Sequence, residues 1–179
     1  MRVYVPATSA LITTLADGEA LSPPAAGTTA FAVTPGLRAW YGEDDAADEP
    51  DDEDLEYAAC AEAARASLRL LAGDPAAARR RLVLAADVRD ADVEIRDDLD
   101  RGVVRVQAAV TPAMLAAVFV DDADAETAVA RAAEVVDAAD LGDEAAEQTV
   151  GDTEGFELSW YAPTELALVT LELGAPDDQ

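Results

Sequence analysis

Four carboxylates, Asp121, Asp122, Asp124 and Glu126, crowd the point where an apolar run ends and an amphipathic one begins. Hard cations such as Mg²⁺ or Ca²⁺ take oxygen ligands of this kind, and a metal held there would make the chain a carboxylate-dependent enzyme. The spacing matches no calcium loop, because the central glycine and the closing glutamate are missing. Helix capping beside a solvated edge accounts for the same residues without a metal. A second set is aromatic: Tyr4, Tyr41, Tyr57, Trp160 and Tyr161, with Trp40 and Arg38. Most of these fall at strand ends or early helix turns, where α/β folds place ligand crevices. Arg38 would there hold a carboxylate or another anionic group in forked geometry. Core packing with a local Arg–Glu pair is the plainer account. The third set is the acidic run Glu43 to Asp54, suited to weak cations or a basic partner and equally to a solvated, disordered loop.

The residues that are missing restrict the chemistry more sharply. No histidine and no lysine occur. Ser-His-Asp and Cys-His arrangements and His-containing zinc sites are therefore excluded. So are Schiff-base chemistry, anchoring of pyridoxal phosphate and the lysine-bearing phosphate loop. GxGxxG is absent too. Acid–base work is left to carboxylates and tyrosines. No cofactor is expected.

The 179 residues carry 12 basic and 38 acidic side chains, a formal net charge of −26, and all the basic ones are arginine. Such a balance argues against a nucleic-acid backbone or an anionic membrane as partner. It leaves open an acidic protein that mimics nucleic acid, although the acids fall in loops and helix starts. Salt adaptation or a GC-rich genome would produce this composition. No apolar run approaches the roughly 20 residues of a membrane helix, and MRVYVPAT shows no signal-peptide core. The lone Cys60 cannot form an intrachain disulfide. A cytoplasmic protein is expected.

The element that must organise the chain is a long helix beginning near Asp54, followed by the strand Leu82–Ala86. Glu62, Arg65 and Arg69 make a narrow polar strip, while Leu55, Tyr57, Ala59, Cys60, Ala64, Leu68, Leu70 and Leu71 cover the remaining circumference. So wide an apolar stripe belongs in a core. Gly73 is the expected left-handed cap, before Pro75. The unalternating run Leu82-Val83-Leu84-Ala85-Ala86 reads as a strand covered on both faces. Further strands are expected over 2–5, 29–34, 103–110, 117–120 and 156–161. Short helices should follow Thr8 and Pro35, an amphipathic helix should run to Ala139, and an apolar helix should span Thr164 to about Leu173. Residues 87–102 read as an irregular excursion and 140–155 as a polar loop.

Four times a strand runs into proline and a helical start, at Pro6, Pro35, Pro112 and Pro163, where a preset φ costs no hydrogen bond. The order of elements in 2–88 recurs in 103–161, which suggests two pseudo-repeated β-α-β-α-β halves, unless short αβ elements merely look alike. The expected fold is one α/β (or α+β) domain over 1–173, with about six strands in a mixed sheet and packed helices. Residues 174–179 read as a disordered tail.

The segments AVTPGLRAWY, DEDLEYAACAEAARASLRLL, RRRLVLAADV, AAVFVDDADAE and LSWYAPTEL resemble a family of small acidic proteins from high-GC Gram-positive (actinobacterial) species, known only as a domain of unknown function. The similarity runs from Arg2 to about Leu168. It implies no activity, ligand, partner or catalytic residue, and it favours genome composition over salt adaptation. The reading is a non-catalytic cytoplasmic protein that binds an unknown protein or small molecule in a crevice between the halves. The alternatives are the divalent-metal enzyme and the acidic mimic.

Overall fold

The computed structural model describes residues 1–42 and 51–174. Among them, seven strands form one sheet: β1 (Arg2–Ala7), β2 (Thr28–Phe31), β3 (Leu82–Asp87), β4 (Val93–Ile95), β5 (Val103–Val106), β6 (Leu115–Asp121) and β7 (Leu158–Tyr161). Six α-helices accompany them: α1 (Ser9–Ala16), α2 (Pro35–Gly42), α3 (Asp52–Gly73), α4 (Glu126–Asp140), α5 (Glu144–Gly151) and α6 (Leu166–Gly174). The order across the sheet is β4-β5-β2-β1-β3-β6-β7. Every neighbouring pair is antiparallel, so the fold is mixed α/β while the sheet is not mixed.

Alternation along the strands decides the layers, because successive side chains point to opposite faces. Val3, Val5, Leu82, Leu84, Val118 and Val120 pack on one face beneath Ile12 and Leu15 of α1 and Leu166 and Val169 of α6. The intervening Tyr4, Val83, Ala85 and Ala117 meet Leu55, Ala59, Cys60 and Ala63 of α3 on the other. Towards its C-terminus α3 leaves the sheet, and Leu68 and Leu71 pack with Val129 and Val136 of α4 and Val150 of α5. Strand β3 is buried on both faces up to Ala86, as its apolar run requires.

Several expectations are corrected. The strand order does not display the repeat. Strands β2-β1-β3 are contiguous, whereas β5 is separated from β6 and β7 by those three. The second half straddles the first. Pro35, Pro112 and Pro163 each begin a helical turn, but Pro6 lies inside β1 opposite Val83. By that point β2 has parted from β1, their one registered pair being Tyr4–Phe31. A residue without an N–H is tolerated where a strand is accompanied on one side.

The excursion 87–102 contains the short edge strand β4, hidden in sequence because Val-Glu-Ile is brief and its last two residues are exposed. The polar loop 140–155 contains α5, where the Asp143 carboxylate accepts from the Ala146 N–H at 2.9 Å. The expected tail begins one residue early, since Gly174 ends α6, and 175–179 lie outside the described residues.

Helix α3 starts as its carboxylates suggest, Asp51 accepting from the Asp54 N–H at 2.9 Å. Gly73 ends it without the left-handed conformation, which is adopted elsewhere by Gly18, Gly27, Gly102 and Gly142. The end is closed instead by Arg79, whose guanidinium donates to the Leu71 carbonyl at 2.7 Å and the Asp74 carbonyl at 3.2 Å. Helix α2 is held from a distance. Asp97 accepts from the Thr34 hydroxyl at 2.6 Å and the Gly36 N–H at 3.0 Å. A Cβ on Gly36 would stand 2.6 Å from the Asp97 carboxylate, so any side chain there would push that carboxylate from its place at the start of α2.

Candidate functional site

Because α3 turns away from the sheet towards α4 and α5, a gap opens over β6 and β7. The result is a cleft of about 620 Å³, inside the range usual for small-ligand sites. One wall is a stripe of α3, namely Glu53, Glu56, Tyr57, Cys60, Ala61 and Ala64. These positions recur at three- and four-residue intervals, the spacing of one helical face. Phe119 and Leu158 form the floor, with Tyr4 and Cys60 at its edge. The opposite wall is the segment after α5, with Val150, Thr153, Glu154, Phe156 and Glu157.

The second wall is fixed by a buried ion pair. Arg81 and Asp121 are 5% and 1% exposed. The Arg81 guanidinium donates to Asp121 through Nε at 2.8 Å and Nη2 at 2.7 Å, and the Arg81 backbone N–H adds a bond of 2.7 Å. Nη2 also donates to the Phe156 carbonyl at 2.8 Å, tying the loop before β7 to the start of β3. Forked pairing of this kind is strong and directional. The other cleft arginine, Arg65, donates to both carboxylate oxygens of Glu147 on α5, at 3.0 and 2.9 Å. Both cations are thus neutralised.

The remaining charges are carboxylates. Glu53, Glu56, Glu62, Glu154 and Glu157 line the cleft without an ion pair among the described residues. Segments 43–50 and 175–179 contain no basic residue that could supply one. Desolvation raises the Glu62 carboxyl above its ordinary value, with repulsion from Asp100 and Glu154 adding and Arg65 partly offsetting. Burial pushes the Cys60 thiol up to about 12, against a smaller opposing pull from Arg81. The Tyr4 phenol, buried and donating to Glu56 at 3.0 Å, is raised first by burial and then by that carboxylate's charge. The thiol and the phenol are therefore held in their protonated forms.

Of the aromatic set, Tyr4 and Tyr57 come together at this cleft. Tyr57, expected in the core, is 74% exposed at its mouth. Arg38 pairs with Asp52 at 2.8 Å and shares with Tyr4 a smaller hollow of about 180 Å³. Tyr41 is exposed on α2, which also carries Trp40, stacked under Arg101 with the guanidinium 3.3 Å from the ring centre. Trp160 stands exposed on β7 opposite Phe119 in register. Tyr161 points to the other face, donating to Glu172 of α6 at 3.0 Å. No common site unites all six.

The carboxylate set is dispersed by its partners. Asp121 is taken by Arg81, Asp122 accepts from the Ser159 hydroxyl at 2.8 Å, and Glu126 pairs with Arg80 at 2.7 Å. Among the described residues no group of three or more metal-ligating side chains converges. Of the acidic run, residues 43–50 lie outside the described residues, and Asp51 to Asp54 begin α3. No helix is long and apolar enough to cross a membrane among the described residues.

As site residues the sequence reading missed Glu56, Glu62, Cys60, Phe119 and the wall from Thr153 to Leu158, while Glu53 belongs to the acidic run it had singled out. The signal available was the α3 stripe itself, with glutamates and a tyrosine at the spacing of a buried face.

No curated protein and no solved structure matches the chain. Residues 1–169 match the model of DUF6912, a family of unknown function, nearly the span over which the resemblance was expected, and the chain belongs to that family.

Proposed function

We propose that the protein is a non-catalytic binding protein whose ligand or partner occupies the cleft between α3 and the segment leading into β7. The observation that carries this reading is a cleft of about 620 Å³ with an aromatic and aliphatic floor. Sites of that size and lining are where proteins usually hold ligands. Its walls come from residues before 88 and after 103, the two parts of the chain between which a crevice was expected. The ionisable groups within it favour binding over chemistry. The thiol and the phenol keep their protons, and both arginines are bound to carboxylates. A metal enzyme draws less support, because Asp121 and Glu126 are each held by an arginine. A cytoplasmic setting and a source with a GC-rich genome belong to the same proposal, supported by the single free cysteine and the Ala- and Arg-rich composition.

The test is a fragment screen followed by NMR chemical shifts of the backbone amides. Binding fragments should move Ala61, Leu158 and Phe119, and Ala61→Trp, placed on the exposed wall of α3, should abolish those shifts. Fragments that bind only elsewhere would defeat the proposal.

A further inference from the structure

The lining of the cleft restricts its ligand by charge. Five glutamates surround an apolar floor, and both arginines of the lining are bound to carboxylates of their own. Every arginine of the chain lies among the described residues, and neither remaining segment contains a basic residue, so no internal cation can reach these glutamates from there. Glu62 and Glu154 are near enough for their charges to oppose one another. An anion would meet this field unfavourably, and a neutral apolar ligand would leave the carboxylates uncompensated at its edge. Tyr57 adds a further element. Its ring is 74% exposed beside Glu53 and Glu56 on the same helical stripe. An aromatic face next to carboxylates is the combination that attracts ammonium and guanidinium groups.

Resting on the binding reading above, we infer that the ligand is an organic cation: an ammonium or guanidinium group carried on an apolar body. The body lies on Phe119 and Leu158. The cationic head sits at the rim, where Glu53, Glu56 and the ring of Tyr57 on one wall stand across the cleft from Glu154 and Glu157. The same chemistry is offered by a free amine and by the lysine or arginine side chain of a peptide.

Three probes of nearly equal shape separate charge from shape: phenethylammonium, phenethyl alcohol and phenylacetate, each titrated calorimetrically into the full chain at low and at physiological salt. A fourth, the blocked dipeptide acetyl-Phe-Arg-amide, distinguishes a peptide source from a free amine, the tighter binder marking the source. The cation is expected to bind at least tenfold more tightly than the alcohol, with phenylacetate weakest. Glu154→Gln with Glu157→Gln, both exposed positions, should lower affinity for the cation about fivefold and leave the alcohol unchanged. Ala61→Trp should abolish binding of both. If the alcohol binds as tightly as the ammonium, the cationic ligand is overturned while the binding cleft stands. If Ala61→Trp leaves ammonium binding intact, the cation is bound elsewhere on the acidic surface and the inference fails. If no probe binds, the inference falls and the binding reading falls with it.

Discussion

Two consecutive arginines show how differently the two faces of the sheet are built. Arg80 points to the face covered by α1 and α6, and its guanidinium pairs with Glu126 and Glu172, which remain 27% and 41% exposed. Arg81 points to the α3 face and is locked against Asp121, which is fully buried. On the first face, aliphatic side chains meet two helices and seal, and the buried Arg80 reaches carboxylates that stay at the margin. On the second, aromatic residues and a diverging helix leave a cleft, and a charge pair is buried to hold its far wall. The lesson is that the less complete core relies on the more expensive interaction. An ion pair out of water is stabilising only while both partners remain.

The sharpest way to break that contrast is to remove one partner. Asp121→Ala leaves a buried guanidinium and the Arg81 backbone N–H without their acceptor, and should cost about 3–5 kcal/mol in urea unfolding. The paired replacement Arg81→Met with Asp121→Leu should recover most of that loss. On the other face, Glu172→Gln should cost about 1 kcal/mol or less, because Glu172 is open to water and the buried Arg80 keeps its pair with Glu126. Equal losses at Asp121 and Glu172 would mean that the two arginines are in equivalent settings after all.

The next largest effect sharpens the comparison of packing. Leu84, fully buried on the sealed face, should lose about 3 kcal/mol on truncation to alanine, through transfer and an enclosed cavity. Phe119→Ala removes more atoms, yet its ring borders the cleft, so no closed cavity forms and about 1–2 kcal/mol is expected. Denaturant midpoints for the two variants give the ranking. A larger loss at Phe119 would mean that the floor of the cleft is packed as tightly as the sealed core.

The sealed face was the legible one. Its strands alternate or run apolar, and α6 announces itself by an apolar run that follows Pro163. The cleft was less legible for a physical reason. It arises where α3 parts from the sheet to pack on α4, and its far wall follows α5, a short helix whose capping Asp143 reads in sequence as a loop residue. Tyr57 illustrates the same limit. A tyrosine at a core-like helical position is read as buried, and only the missing neighbour on that side leaves it exposed. The dispersal of Asp121, Asp122 and Glu126 was hidden as well, since neither pairing arginine is near them in sequence.

A smaller effect concerns protons on the α3 face. Cys60 has its thiol raised to about 12 by burial, above the value near 8.5 of an unfolded chain. The folded state therefore binds this proton more tightly than the unfolded state does. Its contribution to stability is complete below about pH 8.5 and is lost as pH rises towards 12. Tyr4 acts in the same direction at still higher pH. Unfolding midpoints should fall between pH 9 and 11, and Cys60→Ala should flatten the lower part of that slope. Ellman's reagent at pH 8 should label the native thiol much more slowly than the denatured one. Rapid native labelling would show that the floor opens to solvent.

The smallest effect tests whether the cleft's charge and its stability can be separated. Arg65 joins α3 to α5 through Glu147, but that glutamate is 55% exposed, so Arg65→Gln should cost only about 0.5 kcal/mol. Its electrostatic consequence is different in kind. Glutamine removes one positive charge from the lining and leaves Glu147 uncompensated. Arg65 stands about 12 Å along α3 from Tyr57, and a charge at that distance, at an effective dielectric between those of a protein surface and water, is worth roughly 0.3–0.7 kcal/mol. Phenethylammonium should therefore bind about two- to threefold more tightly to the variant at low salt, and the gain should shrink at physiological ionic strength as screening takes hold. A variant that is slightly less stable and yet binds a cation better cannot be explained by loosening of the fold. If affinity falls along with stability, Arg65 holds the wall of the cleft and its charge is incidental to the ligand.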